Sequence, residues 1–290
     1  MVLGSCTSLQ IGAALATHLF PATGPSGATL LRLGLAAGVL LPAGRPGIRT
    51  WTRAQWRAVV LFGLSLAGMN AFFYAAIARI PLGIAVTIEF LGPLALAAAL
   101  SRRPRDLCWV LLALGGVLVL GWAGGGAGSG GSGGSLDVAG VVFVLVAAVF
   151  WALYILAGSR AGAEVPGRGT LAVAMAVAAL VLTPGGMRGA ERIADRPGLL
   201  LVAFGTALMA SVVPYTLEFA AMRRIPRRAF GILLSLEPAV AALAGRLVLG
   251  QRVGTVGIAA IVAVVAASVG STLGARSPAT PADSARDSRT

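Results

Sequence analysis

The chain contains no lysine, one histidine and only two cysteines among its 290 residues. So few sulfur and imidazole groups cannot build a cysteine- or histidine-rich metal site or a disulfide framework. The sequence also has no phosphate-binding loop and no GxSxG nucleophile elbow, because its GxSxG match at residues 130–134 lies in a stretch of glycine and serine. We therefore expect no metal, no cofactor and no enzymatic activity, and we expect that this chain alone does not use ATP.

Charge is scarce and apolar sequence is abundant. Charged residues make up 11% of the chain, whereas soluble domains carry about 25%. Hydrophobic residues make up 57% of it, and the mean hydropathy is +0.89. A water-soluble core cannot absorb this much apolar sequence, so we expect the solvent to be a lipid bilayer.

The apolar residues fall into ten runs, each close to the roughly 20 residues that a membrane-spanning helix needs. They lie near residues 2–20, 26–43, 57–78, 82–100, 107–123, 136–158, 168–184, 199–222, 228–249 and 253–274. The strands of a membrane β-barrel would be about 10 residues long and would alternate in hydrophobicity. The sequence therefore predicts an all-α membrane protein with ten transmembrane helices.

Residues 124–135 are almost entirely glycine and serine, which is typical of a flexible linker. They separate a predicted five-helix unit at residues 1–123 from a second one at residues 136–275. The remaining residues, 276–290, have the composition of a disordered tail. Because five is an odd number, the second unit must enter the membrane in the opposite sense, which predicts an inverted repeat.

A gapless internal repeat supports this division. The segment AAIARIPLGIAVTIEFLGP (75–93) aligns with AAMRRIPRRAFGILLSLEP (220–238), which places Pro81 over Pro226 and Pro93 over Pro238 at an offset of 145 residues. Each copy carries a glutamate in apolar surroundings. A duplicated apolar unit with an intramembrane acid indicates a membrane transporter.

The arginines predict the orientation in the membrane. Sixteen of the 23 lie in loops or the tail on the side that holds both termini, and five lie in the opposite loops. The segment around Arg79 has one arginine, whereas its copy in the repeat has four. Cytoplasmic loops carry the excess of positive charge, so both termini are predicted to be cytoplasmic. The net charge of +13 is thereby explained by the membrane, and we expect no nucleic-acid partner.

Three acids lie within predicted spans. Glu89 and Glu237 are near the middle of the fourth and ninth spans, and Glu218 is nearer the cytoplasmic end of the eighth. A charged acid at mid-bilayer costs about 2.5–3.5 kcal/mol on insertion scales, and it is tolerated where it faces a cavity or a partner. We interpret all three as proton-coupling candidates, and Glu89 and Glu237 also as substrate-binding candidates. The alternative is structural: a neutral carboxyl bonding two helices, or, for Glu218, contact with interfacial water, Arg223 or Arg224.

Further polar residues interrupt the spans. Arg32 is the only basic residue in the middle of a span, and it either lines a central cavity or extends to the membrane surface. The other substrate-binding candidates are Asn70, Tyr74, Tyr154 and Tyr215. The alternative for each of them is a hydrogen bond between helices. Pro93 and Pro238 follow the mid-span glutamates and are expected to break their helices beside the site.

With ten spans in two halves, the chain resembles the EamA-type drug/metabolite transporter superfamily, and within it the threonine/homoserine exporter group. The resemblance rests on IEFLGP (88–93), YILAGSRAGAE (154–164) and LSLEPA (234–239), and it extends over nearly the whole chain. This chain departs from the group's pattern at His18 and Gln251. The resemblance implies export of threonine, homoserine or a similar amino acid from the cytoplasm across a bacterial inner membrane, against inward proton flow.

Other interpretations of the sequence stay open. The same fold could export a drug, a nucleoside or another metabolite. A non-transporting scaffold or sensor has no need of acids and an arginine in mid-membrane, and an intramembrane enzyme would need a nucleophile and base that the sequence lacks. The expected partners are a small-molecule substrate, protons and lipid. The sequence does not decide between a monomer and a homodimer.

Overall fold

The computed structural model describes residues 1–100, 104–122, 136–165, 169–222, 224 and 227–274, and over these ranges all regular structure is helical. The all-α prediction is thus confirmed for the described chain. The predicted linker at 124–135 and the tail at 276–290 lie outside it. The helices are α1 (Val2–Thr17), α2 (Phe20–Gly44), α3 (Arg53–Ile77), α4 (Leu82–Glu89), α5 (Leu91–Leu100), α6 (Pro104–Trp122), α7 (Val138–Glu164), α8 (Gly169–Glu191), α9 (Pro197–Ala207), α10 (Val213–Met222), α11 (Arg227–Leu234), α12 (Glu237–Leu249) and α13 (Thr255–Gly274).

In the described residues, eight helical segments are long and apolar enough to cross a membrane, compared with the ten spans that the sequence predicts. They are Phe20–Gly44, Arg53–Ile77, Leu82–Leu100, Val138–Glu164, Gly169–Glu191, Pro197–Glu218, Ala229–Leu249 and Thr255–Leu273; the apolar stretches Val2–Thr17 and Leu107–Val119 are shorter. Large apolar side chains such as Leu180, Leu201 and Leu247 are more than two-thirds exposed on the surface. An outward-facing apolar surface of this kind suits a hydrocarbon solvent rather than water.

Two of the membrane-crossing segments are broken beside a glutamate. Helix α4 ends at Glu89, and α11 ends at Leu234. Each end lies four residues before a proline, Pro93 in the first case and Pro238 in the second. A proline has no N–H to donate to the carbonyl four residues earlier, and its ring crowds that carbonyl, so the helix stops there.

A third segment is distorted without being interrupted. Between α9 and α10 the chain makes a π-helical turn at Leu208–Val212, and Pro214 follows at the start of α10. Because Pro214 cannot donate a hydrogen bond to the carbonyl of Ala210, that oxygen is available to a side chain.

The two halves of the chain interlock. Helix α2 packs on α8, α3 on α7, α4 on α12 and α6 on α13. Glycines permit close approaches: a Cβ atom at Gly63 would lie 2.8 Å from the Ala174 carbonyl oxygen, and one at Gly83 would lie 2.6 Å from the Ala242 Cα. The largest cluster of buried apolar side chains accordingly draws on both halves.

Candidate substrate-binding cavity

A cavity of about 570 Å³ lies among α1, α2, α3, the broken segments α4–α5 and α11–α12, α7, α10 and α13. Its volume falls within the roughly 300–1,000 Å³ that is typical of small-molecule sites. Most of its wall is apolar, and its polar side chains include Gln10, Arg32, Asn70, Glu89, Tyr154, Tyr215, Glu218, Ser235, Glu237 and Ser268. The structure therefore brings residues from both halves of the chain to one cavity.

Arg32 is buried in the wall, with 5% of its surface exposed. Its Nε donates to Ser211 Oγ at 3.1 Å, its Nη1 to the Tyr74 hydroxyl at 3.2 Å, and its Nη2 to the Ala210 carbonyl at 2.7 Å. The last of these is the carbonyl that Pro214 leaves unpaired. No carboxylate in the described chain forms an ion pair with Arg32. The guanidinium is therefore held in place by neutral groups and keeps its full positive charge.

Glu237 is the first residue of α12, where the broken segment resumes. The side chain is 4% exposed, and its Oε1 accepts a hydrogen bond from Gln10 Nε2 at 2.9 Å. A carboxylate at a helix N-terminus is favoured by the helix dipole. Pro238 follows it at the second position of α12, where no N–H is needed within that helix, although the carbonyl of Leu234 in α11 loses its donor.

Glu89 and Glu218 are the other two carboxyl groups of the cavity. Glu89 ends α4 and is 7% exposed, and within the described part of the protein it makes no hydrogen bond. Glu218 accepts a hydrogen bond from Ser5 Oγ at 2.7 Å. It forms no ion pair with Arg224, and Arg223 lies outside the described chain.

The remaining predicted residues differ in their access to the cavity. Asn70 lines it and donates from Nδ2 to the Leu66 carbonyl of its own helix at 2.8 Å. Tyr154 and Tyr215 also line it, and Tyr154 packs on Phe62 with 5.0 Å between ring centroids. Tyr74 has no exposed surface and does not line the cavity; its ring lies 5.4 Å from the Arg32 Cζ. Tyr74 therefore positions the guanidinium without lining the cavity itself.

Sequence reasoning missed several residues that hold the predicted ones. Gln10 binds Glu237, Ser5 binds Glu218, and Ser211 binds Arg32. The signal for Gln10 was present in the sequence, because it is an amide inside an apolar run. The contribution of the Ala210 backbone depends on the π-helical turn, which no spacing of residue types predicts.

Beyond Val86 and Glu237 of the cavity wall, the two broken segments contact each other. Gln251 Oε1 accepts a hydrogen bond from the backbone N–H of Leu82, at the start of α4, at 3.0 Å. Next to it, Gly83 lies against Ala242 of α12. The cavity wall extends the other way, toward Ala97, Phe230 and Thr272. In the described residues no group of three or more His, Cys, Asp and Glu side chains could hold a metal ion.

Comparison with known proteins defines the class. The model of the EamA-like transporter family matches residues 138–273. Relatives that are 40–41% identical extend the match to 94–95% of the chain, which therefore belongs to the EamA-like transporter family. This confirms the resemblance inferred from the sequence, and it confirms that the chain is a transporter and not an enzyme.

Two relatives that match most of the chain are named threonine/homoserine exporters. The chain is 41% identical over 273 residues to the threonine/homoserine exporter RhtA of Salmonella typhimurium (strain SL1344), covering 94% of this chain and 90% of that protein. It is 40% identical over 276 residues to the threonine/homoserine exporter RhtA of Escherichia coli (strain K12), covering 95% and 91%. A solved structure titled "Crystal structure of protein" aligns with a TM-score of 0.53 at 20% identity, covering 94% of this chain and 96% of that one, and it supports the fold.

Proposed function

We propose that this protein exports threonine, homoserine or similar small neutral amino acids across the bacterial cytoplasmic membrane by alternating access. The observation that carries the proposal is the cavity between the two halves, which holds one guanidinium and three carboxyl groups. The similarity of the chain to two threonine/homoserine exporters supports threonine and homoserine as the proposed substrates.

A free amino acid is a zwitterion, and burying either charged end without a partner costs several kcal/mol. The cavity offers a partner to each end. The guanidinium of Arg32 has five N–H donors, and three of them are used by Ser211, Tyr74 and Ala210. One donor is left on each terminal nitrogen, and we infer that this pair binds the two oxygens of the substrate carboxylate.

The ammonium group is bound by a glutamate, and Glu89 is the best candidate because no protein group occupies its oxygens in the described chain. Asn70, Tyr154 and Tyr215 supply further hydrogen-bonding groups around the substrate. A proton arriving from outside then neutralises Glu89, which weakens its hold on the ammonium group and releases the substrate on that side.

Protons drive the export in this proposal, with Glu89, Glu237 and Glu218 as carriers. Moving one charge across 100 mV is worth about 2.3 kcal/mol, or roughly fifty-fold in concentration. One proton exchanged for each substrate molecule therefore supports substantial export.

The pairing of helices supports two inverted five-helix repeats. Exchanging the halves maps the contacts of α2 with α8 and of α6 with α13 onto themselves. The contact of α3 with α7 maps onto that of α10 with α1, which also exists. If both termini are cytoplasmic, the cavity extends toward the cytoplasm and the Gln251–Leu82 contact closes its outer end.

Efflux of labelled threonine from preloaded bacteria tests the proposal. Cells lacking their own exporters should lose the label faster with the wild-type protein than with an empty vector. The Arg32→Gln variant should behave like the empty vector. Arg79→Gln removes an exposed arginine that does not line the cavity and serves as the matched control. If threonine, homoserine and their close analogues all leave at the rate of the empty vector, the cargo is wrong; if threonine amide competes as well as threonine, the zwitterion site is wrong.

A further inference from the structure

Gln10 has one half of its side-chain amide paired and the other half unpaired. Its Nε2 donates to Glu237 Oε1 at 2.9 Å, whereas its Oε1 is buried and has no hydrogen-bond partner. The residue is only 2% exposed, so water does not compensate this oxygen. A buried acceptor without a donor costs free energy, and such a group needs an explanation.

Exchanging the positions of the amide nitrogen and oxygen of Gln10 does not give both atoms a partner while Glu237 is ionised. An ionised carboxylate only accepts hydrogen bonds, so the Gln10 nitrogen must face it and the Gln10 oxygen must face away from a donor. The missing donor would be supplied by Glu237 itself once that carboxyl group carries a proton. A primary amide and a carboxylic acid then complement each other, because each has one donor and one acceptor on adjacent atoms.

We propose that Gln10 is a positioning residue for the transported proton. When Glu237 is protonated, its O–H donates to Gln10 Oε1 while Gln10 Nε2 continues to donate to the other carboxyl oxygen, so that two hydrogen bonds close a planar ring. The ionised pair has one hydrogen bond and one unpaired buried acceptor; the protonated pair has two and none. The amide N–H bond is stronger to the ionised carboxylate, but the second bond and the pairing of the buried Gln10 Oε1 exist only in the protonated form. We infer that these two gains together outweigh the stronger single bond, so Gln10 favours the form of Glu237 that carries the proton across the membrane.

The inference rests on the proton antiport of the proposed function. The proton comes from water at one membrane face, binds one oxygen of the Glu237 carboxylate and leaves from that oxygen to water at the other face. Gln10 neither gains nor loses a proton. Rotation about the terminal bonds of the two side chains, which have broad torsional wells, brings the O–H into line with the amide oxygen.

Other ionisable groups surround this pair. Cys6 lies one turn before Gln10 on α1, Glu218 and Tyr215 face it from α10, Glu89 from α4 and Arg32 from α2, while α13 contributes the hydroxyl of Ser268. Gln10 differs from all of them because it is the side chain that bonds the Glu237 carboxyl directly.

Infrared difference spectroscopy of the full-length protein in lipid nanodiscs tests the pair without any substrate. The wild-type spectrum should contain the C=O stretch of a protonated carboxyl group, and Glu237→Gln should remove it. In Gln10→Met, which has similar length and no amide, the band should move to higher frequency because its hydrogen bonds are lost. Its titration midpoint should fall by about one pH unit, the size expected because the neutral acid loses one hydrogen bond more than the carboxylate does.

A matched control is Asn70→Leu, which removes another buried amide of the cavity and should leave the Glu237 band and its midpoint unchanged. Gln10→Asn keeps the amide but shortens it, so it should shift the band in the same direction and replaces Gln10→Met if that variant fails to insert. An unchanged band and midpoint in the Gln10 variants would overturn the proposal, as would the absence of a Glu237 band at every pH where the protein is folded.

The outcome is separable from that of the proposed function. A shifted band in a protein that does not export threonine would leave the acid–amide pair standing and remove the cargo. Normal threonine efflux, together with a Glu237 band that does not change in the Gln10 variants, would support the proposed substrate and overturn the acid–amide pair.

Discussion

Arg32 keeps one N–H free on each terminal nitrogen of its guanidinium, since Ser211, Tyr74 and Ala210 occupy the other three donors. Neutral partners fix the position of the group without neutralising its charge. A guanidinium held in this way offers a fork of fixed orientation to an anion, which a lysine cannot do. The usable property of this residue is therefore its geometry as well as its charge.

Substitution of Arg32 separates the two properties. Arg32→Lys keeps the charge and loses the fork, so the threonine concentration for half-maximal efflux should rise about tenfold, as expected for one lost charged hydrogen bond. Arg32→Gln loses both and should nearly abolish efflux. Concentration dependence of efflux from preloaded vesicles measures this. Equal half-maximal concentrations in the wild type and Arg32→Lys would show that Arg32 only supports the fold.

Two further assays test whether Glu89 and Glu237 couple transport to protons. Glu89→Gln and Glu237→Gln should insert and fold, because glutamine has the shape of a neutral glutamic acid. At least one of them should lose efflux driven by a pH gradient and retain exchange of labelled for unlabelled threonine, since exchange moves no net proton. Both assays can be run on the same proteoliposomes. Gradient-driven efflux at the wild-type rate in both variants would remove these residues from the mechanism.

At the scale of the helix, the breaks in the two segments come from proline spacing. Helices α4 and α11 each end four residues before a proline, and the glutamates lie at or next to the breaks. The repeat does not superimpose the two acids, however: Glu89 is four residues before Pro93, whereas Glu237 is directly before Pro238. The two carboxyl groups are consequently placed differently with respect to their helix ends.

Replacing the prolines tests whether the breaks serve transport. Pro93→Ala and Pro238→Ala restore a backbone donor, so they should raise the melting temperature of the purified protein and slow threonine efflux. An interior proline costs a helix about 3 kcal/mol, which sets the upper limit of the gain. Pro42→Ala in α2, away from the cavity, is the control and should stabilise without slowing efflux. Faster or unchanged efflux in both test variants would show that the breaks are incidental.

Local features of this fold could be predicted from the sequence, and distant pairings could not. Helix content, the polar positions within spans and the breaks near Pro93 and Pro238 depend on composition and on residues a few positions apart. The bonds from Gln10 to Glu237 and from Arg32 to Ala210 join residues 227 and 178 positions apart. No periodicity reports such pairs, and the second also needs a π-helical turn that the residue pattern does not mark.

At the scale of the whole molecule, orientation remains a prediction from the arginines. A cysteine at position 130, in a protein lacking Cys6 and Cys108, should react with a membrane-impermeant maleimide in intact cells. A cysteine at position 103 should react only after lysis, because the loop containing Arg103 is predicted to be cytoplasmic. The opposite labelling pattern would reverse the orientation and place the closed end of the cavity at the cytoplasmic face.

The packing of α2 on α8 and of α3 on α7 constrains how the protein is made. During synthesis the first half enters the membrane before α7 and α8 have left the ribosome, so the close-packing faces at Gly27 and Gly63 meet lipid first. Lipid tolerates such faces, because no hydrophobic effect drives helices together within a bilayer. Folding is then a late event that waits for the second half. Genes encoding residues 1–123 and 136–290 should therefore restore export when expressed together, whereas each fragment alone should be degraded, which a pulse-chase experiment measures.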